Sequence, residues 1–164
     1  MDSTVLVETL LVGWNRNADY AQRLVADLDA NQMVMQPAAG TNHPAWTFSH
    51  LCAYHPVLTG LLRGEPCEDP KDHRFGMKSK PEADRSVYPA KDELMACFAE
   101  GHELVTAALQ AADEQLLTTP MSIERWATVF PQVSSCLGYL MLAHESTHLG
   151  QVSAWRRVQG LPSV

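Results

Sequence analysis

A chain of 164 residues is long enough for one full hydrophobic core and short for two domains, so a single domain over 1–164 is expected. The formal charge of −7, with no basic stripe, argues against nucleic-acid binding. Its apolar stretches are broken by Glu8 or fall far short of the roughly 20 residues that span a bilayer, so no membrane association is expected either. Met1-Asp2 opens no basic-then-apolar leader, which points to the cytoplasm. Cys52, Cys67, Cys97 and Cys136, widely spaced without a Cys-x-x-Cys pair, are then expected as reduced thiols.

Four stretches carry helical periodicity and none carries a convincing strand alternation, so the fold class is all-α. The first runs from about Thr4 to Leu28, with Leu6, Leu10, Trp14, Asn17, Leu24 and Leu28 on one face. The second starts near Pro44, whose fixed φ suits a first turn, and continues through Trp46, His50, Leu51, Tyr54, Leu58 and Leu61 to Gly64 and Pro66. Pro56 inside it either kinks the helix or marks an earlier end. A long connection follows, residues 65–88, rich in Pro, Lys, Asp and Glu. Its basic cluster of Arg74, Lys78 and Lys80 either holds an anionic cofactor or substrate or belongs to a solvated crossover loop. The third helix begins at Pro89, with Asp92 and Glu93 at the positive end of its dipole and Leu94, Phe98, Val105 and Leu109 inward. The fourth spans roughly Ser134 to Gln159, before the stop signal of Gly160 and Pro162.

The fourth helix carries the chemistry. His144 and His148 lie one turn apart on the stripe of Leu137, Leu140, Met141, Val152 and Trp155, so both imidazoles face the core. Two buried imidazoles need hydrogen bonds or a metal. The string His-Glu-x-x-His is also the zinc signature of metalloproteases, but those draw a further ligand from downstream, and only sixteen residues follow His148. A third ligand is therefore sought upstream. His50 is the best placed, inward on the second helix, and three histidines leave a coordination position open. His102 is the next candidate, as a fourth ligand or a substrate contact. His43, His55 and His73 read as surface residues.

The segment Asn42-His43-Pro44-Ala45-Trp46-Thr47-Phe48-Ser49-His50-Leu51 resembles the helix-two signature of the DinB-like (YfiT-type) superfamily. The run His144-Glu145-Ser146-Thr147-His148-Leu149-Gly150-Gln151 is similar to its C-terminal signature, and Phe75-Gly76 and Tyr88-Pro89 resemble one branch of it. One departure is Ser49, where the signature commonly has Gly. The resemblance implies a four-helix bundle with a long crossover between helices 2 and 3, a homodimer, and one divalent ion on His50, His144 and His148. Characterised relatives use bacillithiol, mycothiol or glutathione in metal-dependent transferase or isomerase reactions. That implies a thiol S-transferase-type enzyme acting on a small electrophilic substrate, with a low-molecular-weight thiol as cofactor. Three imidazoles suit zinc or nickel foremost, and also iron or copper. The other class of reading is a non-catalytic, metal-stabilised bundle that binds a partner or small molecule.

Three residues are candidates for proton transfer: Glu145, Tyr54 and His102. Glu145 fits equally a carboxylate holding a neighbouring ligand histidine or a solvated surface group. Gln151, three residues past His148, reads as a buried amide in need of partners. Trp14, Trp46, Trp126 and Trp155 read as packing, and Cys52 sits opposite His50 on its helix.

Overall fold

The computed structural model describes residues 3–164, so the reading of Met1-Asp2 lies outside the described residues. The fold is all-α. Its long helices are α1 (Ser3–Val25), α2 (Pro44–Arg63) and α3 (Lys91–Ala111). Short helices α4 (Glu114–Leu117) and α5 (Glu124–Ala127) follow. The C-terminal helix is composite: α6 (Val133–Leu137), a π-helical segment Gly138–His144, and α7 (Glu145–Val158). No strand occurs among the described residues beyond an isolated bridge between Pro120 and Gln132, and no described helix is long and apolar enough to cross a membrane.

Local chemistry sets the ends of α2. His43 Nδ1 accepts the Trp46 N–H as an N-cap, Pro44 occupies the first turn, and Gly64 closes the helix at φ 66° in the left-handed region. The helix runs unbroken through Pro56. At the start of α3 the Glu93 carboxylate accepts the Ala90 N–H at 3.2 Å. α2 packs most extensively on α3, and α1 packs on α3 and on the C-terminal helix.

The core divides into two apolar clusters stacked along the helices. One holds Leu10, Trp14, Leu58, Leu61, Val105, Leu137 and Met141. The other holds Leu24, Phe48, Leu51, Phe98, Leu149 and Trp155. On every long helix the boundary between them carries polar side chains: Asn17 on α1, His50 and His55 on α2, His102 on α3, and His144, Glu145 and His148 on the C-terminal helix. A polar layer thus crosses the molecule between two dry cores.

The connection 65–88 folds back over one end of α2. Its backbone accepts hydrogen bonds from the α2 region: His43 Nε2–H donates to Glu82 O at 2.9 Å and His50 Nδ1–H to Phe75 O at 2.6 Å. Trp46 Nε1–H donates to Ser79 Oγ at 3.0 Å. Gly76 makes this possible, because a Cβ there would collide with the Pro70 carbonyl. The expectation that His43 is a surface residue fails for the same reason: the loop covers it, leaving it 0% exposed, with Tyr88 edge-on to its ring.

Candidate metal centre

His50, His144 and His148 converge. Their ligand atoms lie within 4.8 Å of one another, and His50 Nε2 and His144 Nε2 are 3.1 Å apart. Two protonated nitrogens would repel at that distance. His50 donates its Nδ1 proton to Phe75 O, which leaves Nε2 as a lone pair aimed at His144. At His148, Nδ1–H donates to Gln151 Oε1 at 3.1 Å, and the same oxygen accepts from Asn42 Nδ2 at 2.9 Å. Its Nε2 is likewise left free to ligate. Orienting the far nitrogen in this way is how proteins prepare histidines for an ion. Gln151 therefore has the partners its amide needs, although it is exposed rather than buried.

Burial keeps these rings neutral. It lowers the pKa of His50 to about 4, with help from His148, and of His144 to about 3, with help from His148 and His50; His148 is also lowered. Neutral imidazole is the form that binds metal. The donor set therefore fits a divalent ion of the zinc, nickel or iron type.

All three histidines line a cleft of about 490 Å³, whose other walls include Trp46, Tyr54, Met77, Trp126, Phe130 and Tyr139. Trp46 stacks on His50 at 4.8 Å and 15°. Trp46 and Trp126 are thus cleft walls as well as packing residues, whereas Trp14 and Trp155 are core. Arg125 is the cation of this cleft, held by the Asp69 carboxylate, with Nη2 to Oδ1 at 2.8 Å. Neither Arg125 nor Trp126 emerges from sequence periodicity, since both sit in a one-turn helix within an irregular segment. Arg74, Lys78 and Lys80 are not among the lining residues; Lys78 pairs with Asp72 at the surface, at 2.9 Å.

Of the three proton-transfer candidates, Tyr54 lines the cleft, with its ring centroid 4.9 Å from those of both His50 and His144. His102 and Glu145 are elsewhere, in a second cluster with His55. His102 Nε2–H donates to Glu145 Oε2 at 3.0 Å, and His55 Nε2 stands 4.0 Å from the same oxygen. This corrects the reading of His55 as a surface residue, since it is 4% exposed; His73 does lie at the surface. Of the alternatives for Glu145, its 2% exposure removes the solvated one, and it holds a histidine of a neighbouring helix, His102. The His/His/Glu group is also capable of coordinating a divalent metal. Burial raises the Glu145 carboxyl well above the usual range and lowers His55 to about 4 and His102 to about 3, the last with help from His55. The Asn17 amide, one of whose N–H groups is given to Met141 O, faces the Glu145 carboxylate and opposes that shift.

Adjacent residues serve two clusters because successive helical positions point about 100° apart. A π-helical segment ends at His144, and there the Glu145 N–H bonds Leu142 O, not the Met141 O that an α-helix would supply to it. Asn17 Nδ2–H donates to that carbonyl at 3.1 Å, and Asn17 Oδ1 accepts from Ser146 Oγ at 3.1 Å. A wider turn at this point is a frequent feature of functional sites.

The profile of the DinB superfamily matches residues 14–152. No curated protein matches the chain.

Proposed function

The chain belongs to the DinB superfamily, and from that premise we propose that it is a metal-dependent enzyme joining a small thiol to an electrophile in the aromatic cleft. The observation that carries this reading is the convergence of His50, His144 and His148 on the wall of that cleft, two of them with their far nitrogens already engaged. The long helices and the 65–88 connection support a four-helix bundle with a crossover between the second and third. His50, His144 and His148 would hold a divalent ion, zinc or nickel foremost, and when bound it would supply Lewis acidity that favours the thiolate of a thiol whose free pKa is about 8.5.

The chain's own groups do the rest. Phe75 O and the Asn42–Gln151 pair hold the ligand rings in place. Trp46, Trp126, Phe130 and Tyr139 bind the apolar part of the substrate and exclude water. Arg125, fixed by Asp69, pairs with a carboxylate of the thiol or of the substrate. Burial raises the Tyr54 hydroxyl above its usual pKa, so it stays protonated as a hydrogen-bond donor to charge developing on the leaving group. The sulfur bonds to the electrophilic carbon, the leaving group departs with the bonding electrons, and the thiol proton passes to it or to solvent.

The test is a conjugation assay with bacillithiol, mycothiol and glutathione against a general electrophile. Metal-loaded protein is compared with chelated protein and with His50→Ala. Loaded protein alone should exceed the rate of thiol in buffer. Equal rates in all three, no faster than buffer, would favour the non-catalytic, metal-stabilised bundle.

A further inference from the structure

The second cluster asks for an occupant. His55, His102 and Glu145 are 4%, 5% and 2% exposed, with ligand atoms within 4.8 Å of one another. One hydrogen bond, His102 to Glu145, joins the three. Four of their polar atoms have no hydrogen-bond partner: His55 Nδ1, His55 Nε2, His102 Nδ1 and Glu145 Oε1. Native cores almost never leave a ring nitrogen and a carboxylate oxygen bare, and an imidazole with both nitrogens bare is rarer still. A polar core cluster held by its own hydrogen bonds does not look like this.

Its surroundings fix the rings all the same. Trp14 stacks on His102 at 3.7 Å and 14°, donates its indole N–H to His102 O at 3.3 Å, and lies edge-on to His55 at 5.7 Å. Gly101 leaves room for His55, since a Cβ there would strike His55 Nδ1. Donors bonded at about 2.0–2.1 Å to a tetrahedral ion stand about 3.3 Å apart. The separations of 3.0 Å (His102 Nε2 to Glu145 Oε2) and 4.0 Å (His55 Nε2 to Glu145 Oε2) bracket that value.

We propose that His55, His102 and Glu145 form a second, closed site for a divalent transition metal, separate from the three-histidine centre, that ties α2, α3 and the C-terminal helix together. The donor set of two nitrogens and a carboxylate selects a zinc-class ion over magnesium or calcium, which prefer all-oxygen sites. Glu145 Oε1 offers a fourth donor from the protein itself, so the site needs no open position and its role is structural. The ion takes up the charge of the carboxylate and the Nε2 lone pairs of both rings at once, so it occupies His55 Nε2 and Glu145 Oε1 among the four bare atoms and leaves the ring protons on His55 Nδ1 and His102 Nδ1.

The experiment is zinc titration of chelator-stripped protein, followed by elemental analysis after desalting and by thermal melts. Wild-type protein should hold two equivalents. His148→Ala should hold one, in the second site, and its melting temperature should still rise with zinc. Gly101→Ala, which pushes His55 out of place, should hold one equivalent and keep the three-histidine centre. Helix content by circular dichroism confirms that each variant is folded. A folded His148→Ala protein that holds no zinc and shows no zinc-dependent rise in melting temperature would overturn the second site. So would a Gly101→Ala protein that still holds two. One equivalent lost in Gly101→Ala and none in His148→Ala would instead overturn the three-histidine assignment and leave this one standing.

Discussion

At the scale of single residues, the centre depends on groups that never touch the ion. Gln151 holds His148 through one oxygen while taking a second hydrogen bond from Asn42. Replacing Gln151 with Leu removes the acceptor and frees the His148 ring to rotate or change tautomer. Zinc affinity should fall roughly 10–100-fold, the usual loss when a ligand histidine is deprived of its orienting partner. Competition with a chromophoric chelator measures it, and an affinity within twofold of wild type would show that Gln151 is only a surface amide. Arg156 is a second case. Its side chain is 1% exposed and donates to Leu24 O, Pro162 O and Asp27. Arg156→Met keeps the stem and strands two carbonyls. Because Asp27 is half exposed, the loss is discounted to about 2 kcal/mol, read as a lower denaturant midpoint with an unchanged slope.

At the scale of elements, what the sequence discloses depends on how a helix is buried. The i, i+4 pair His144 and His148 stands out because α7 keeps a polar face, and His50 joins it through the stripe of Trp46 and Tyr54. Sixteen of the residues of α2 are buried, so that helix offers almost no polar side against which to judge an inward residue. His55 was for that reason legible only as a histidine beside Pro56, off the main stripe. His43 was hidden differently: its burial comes from residues 82–88, about forty positions away. The π-helical turn has no periodic signature, whereas the division of His144 and Glu145 between two clusters needs only the roughly 100° between successive helical positions. Gly76 gives the loop its own prediction. Gly76→Val must displace the Pro70 carbonyl, so Phe75 O should lose His50. Zinc affinity should drop although no ligand has changed, and hydrogen exchange should rise across residues 70–80. Unchanged exchange there would mean that the loop tolerates the side chain.

At the scale of the whole molecule, the polar layer makes stability depend on pH. In metal-free protein His50 and His55 have pKa values near 4, and His102 and His144 near 3, all depressed mainly by burial. Unfolded histidine titrates near 6.5. Their favourable contribution is therefore fully present above about pH 6.5 and is lost as pH falls toward the folded values, because the unfolded chain then binds more protons. Each ring weakens the fold by up to about 1.4 kcal/mol per pH unit in that window. Melting temperatures of chelated protein should fall steadily between pH 6.5 and 4, and a flat profile would show that the rings are not held neutral. Metal loading should shift the decline to lower pH, since protons and ion compete for the same nitrogens. The homodimer remains a proposal at this scale. Val5 and Val12, seven residues apart on α1, are 52% and 63% exposed, which gives that helix an outward apolar pair. Sedimentation at micromolar concentration decides it: a single species at monomer mass ends the idea.

The wide turn at Gly138–His144 is, in effect, one residue of surplus stored in the C-terminal helix. Wound as uninterrupted α-helix with every residue kept, the segment would carry one residue too many for its neighbours. Each residue advances an α-helix by about 100°, so the two halves would then face their neighbours out of phase by that angle. Either Leu137 and Met141 keep their places in the first core, or Leu149, Val152 and Trp155 keep theirs in the second. Both cannot. Deleting one residue instead, Gly138 for instance, should give regular α-helix with Leu137 and Val152 still facing their own cores, because the wide turn is what absorbs the spare residue and lets one helix serve both.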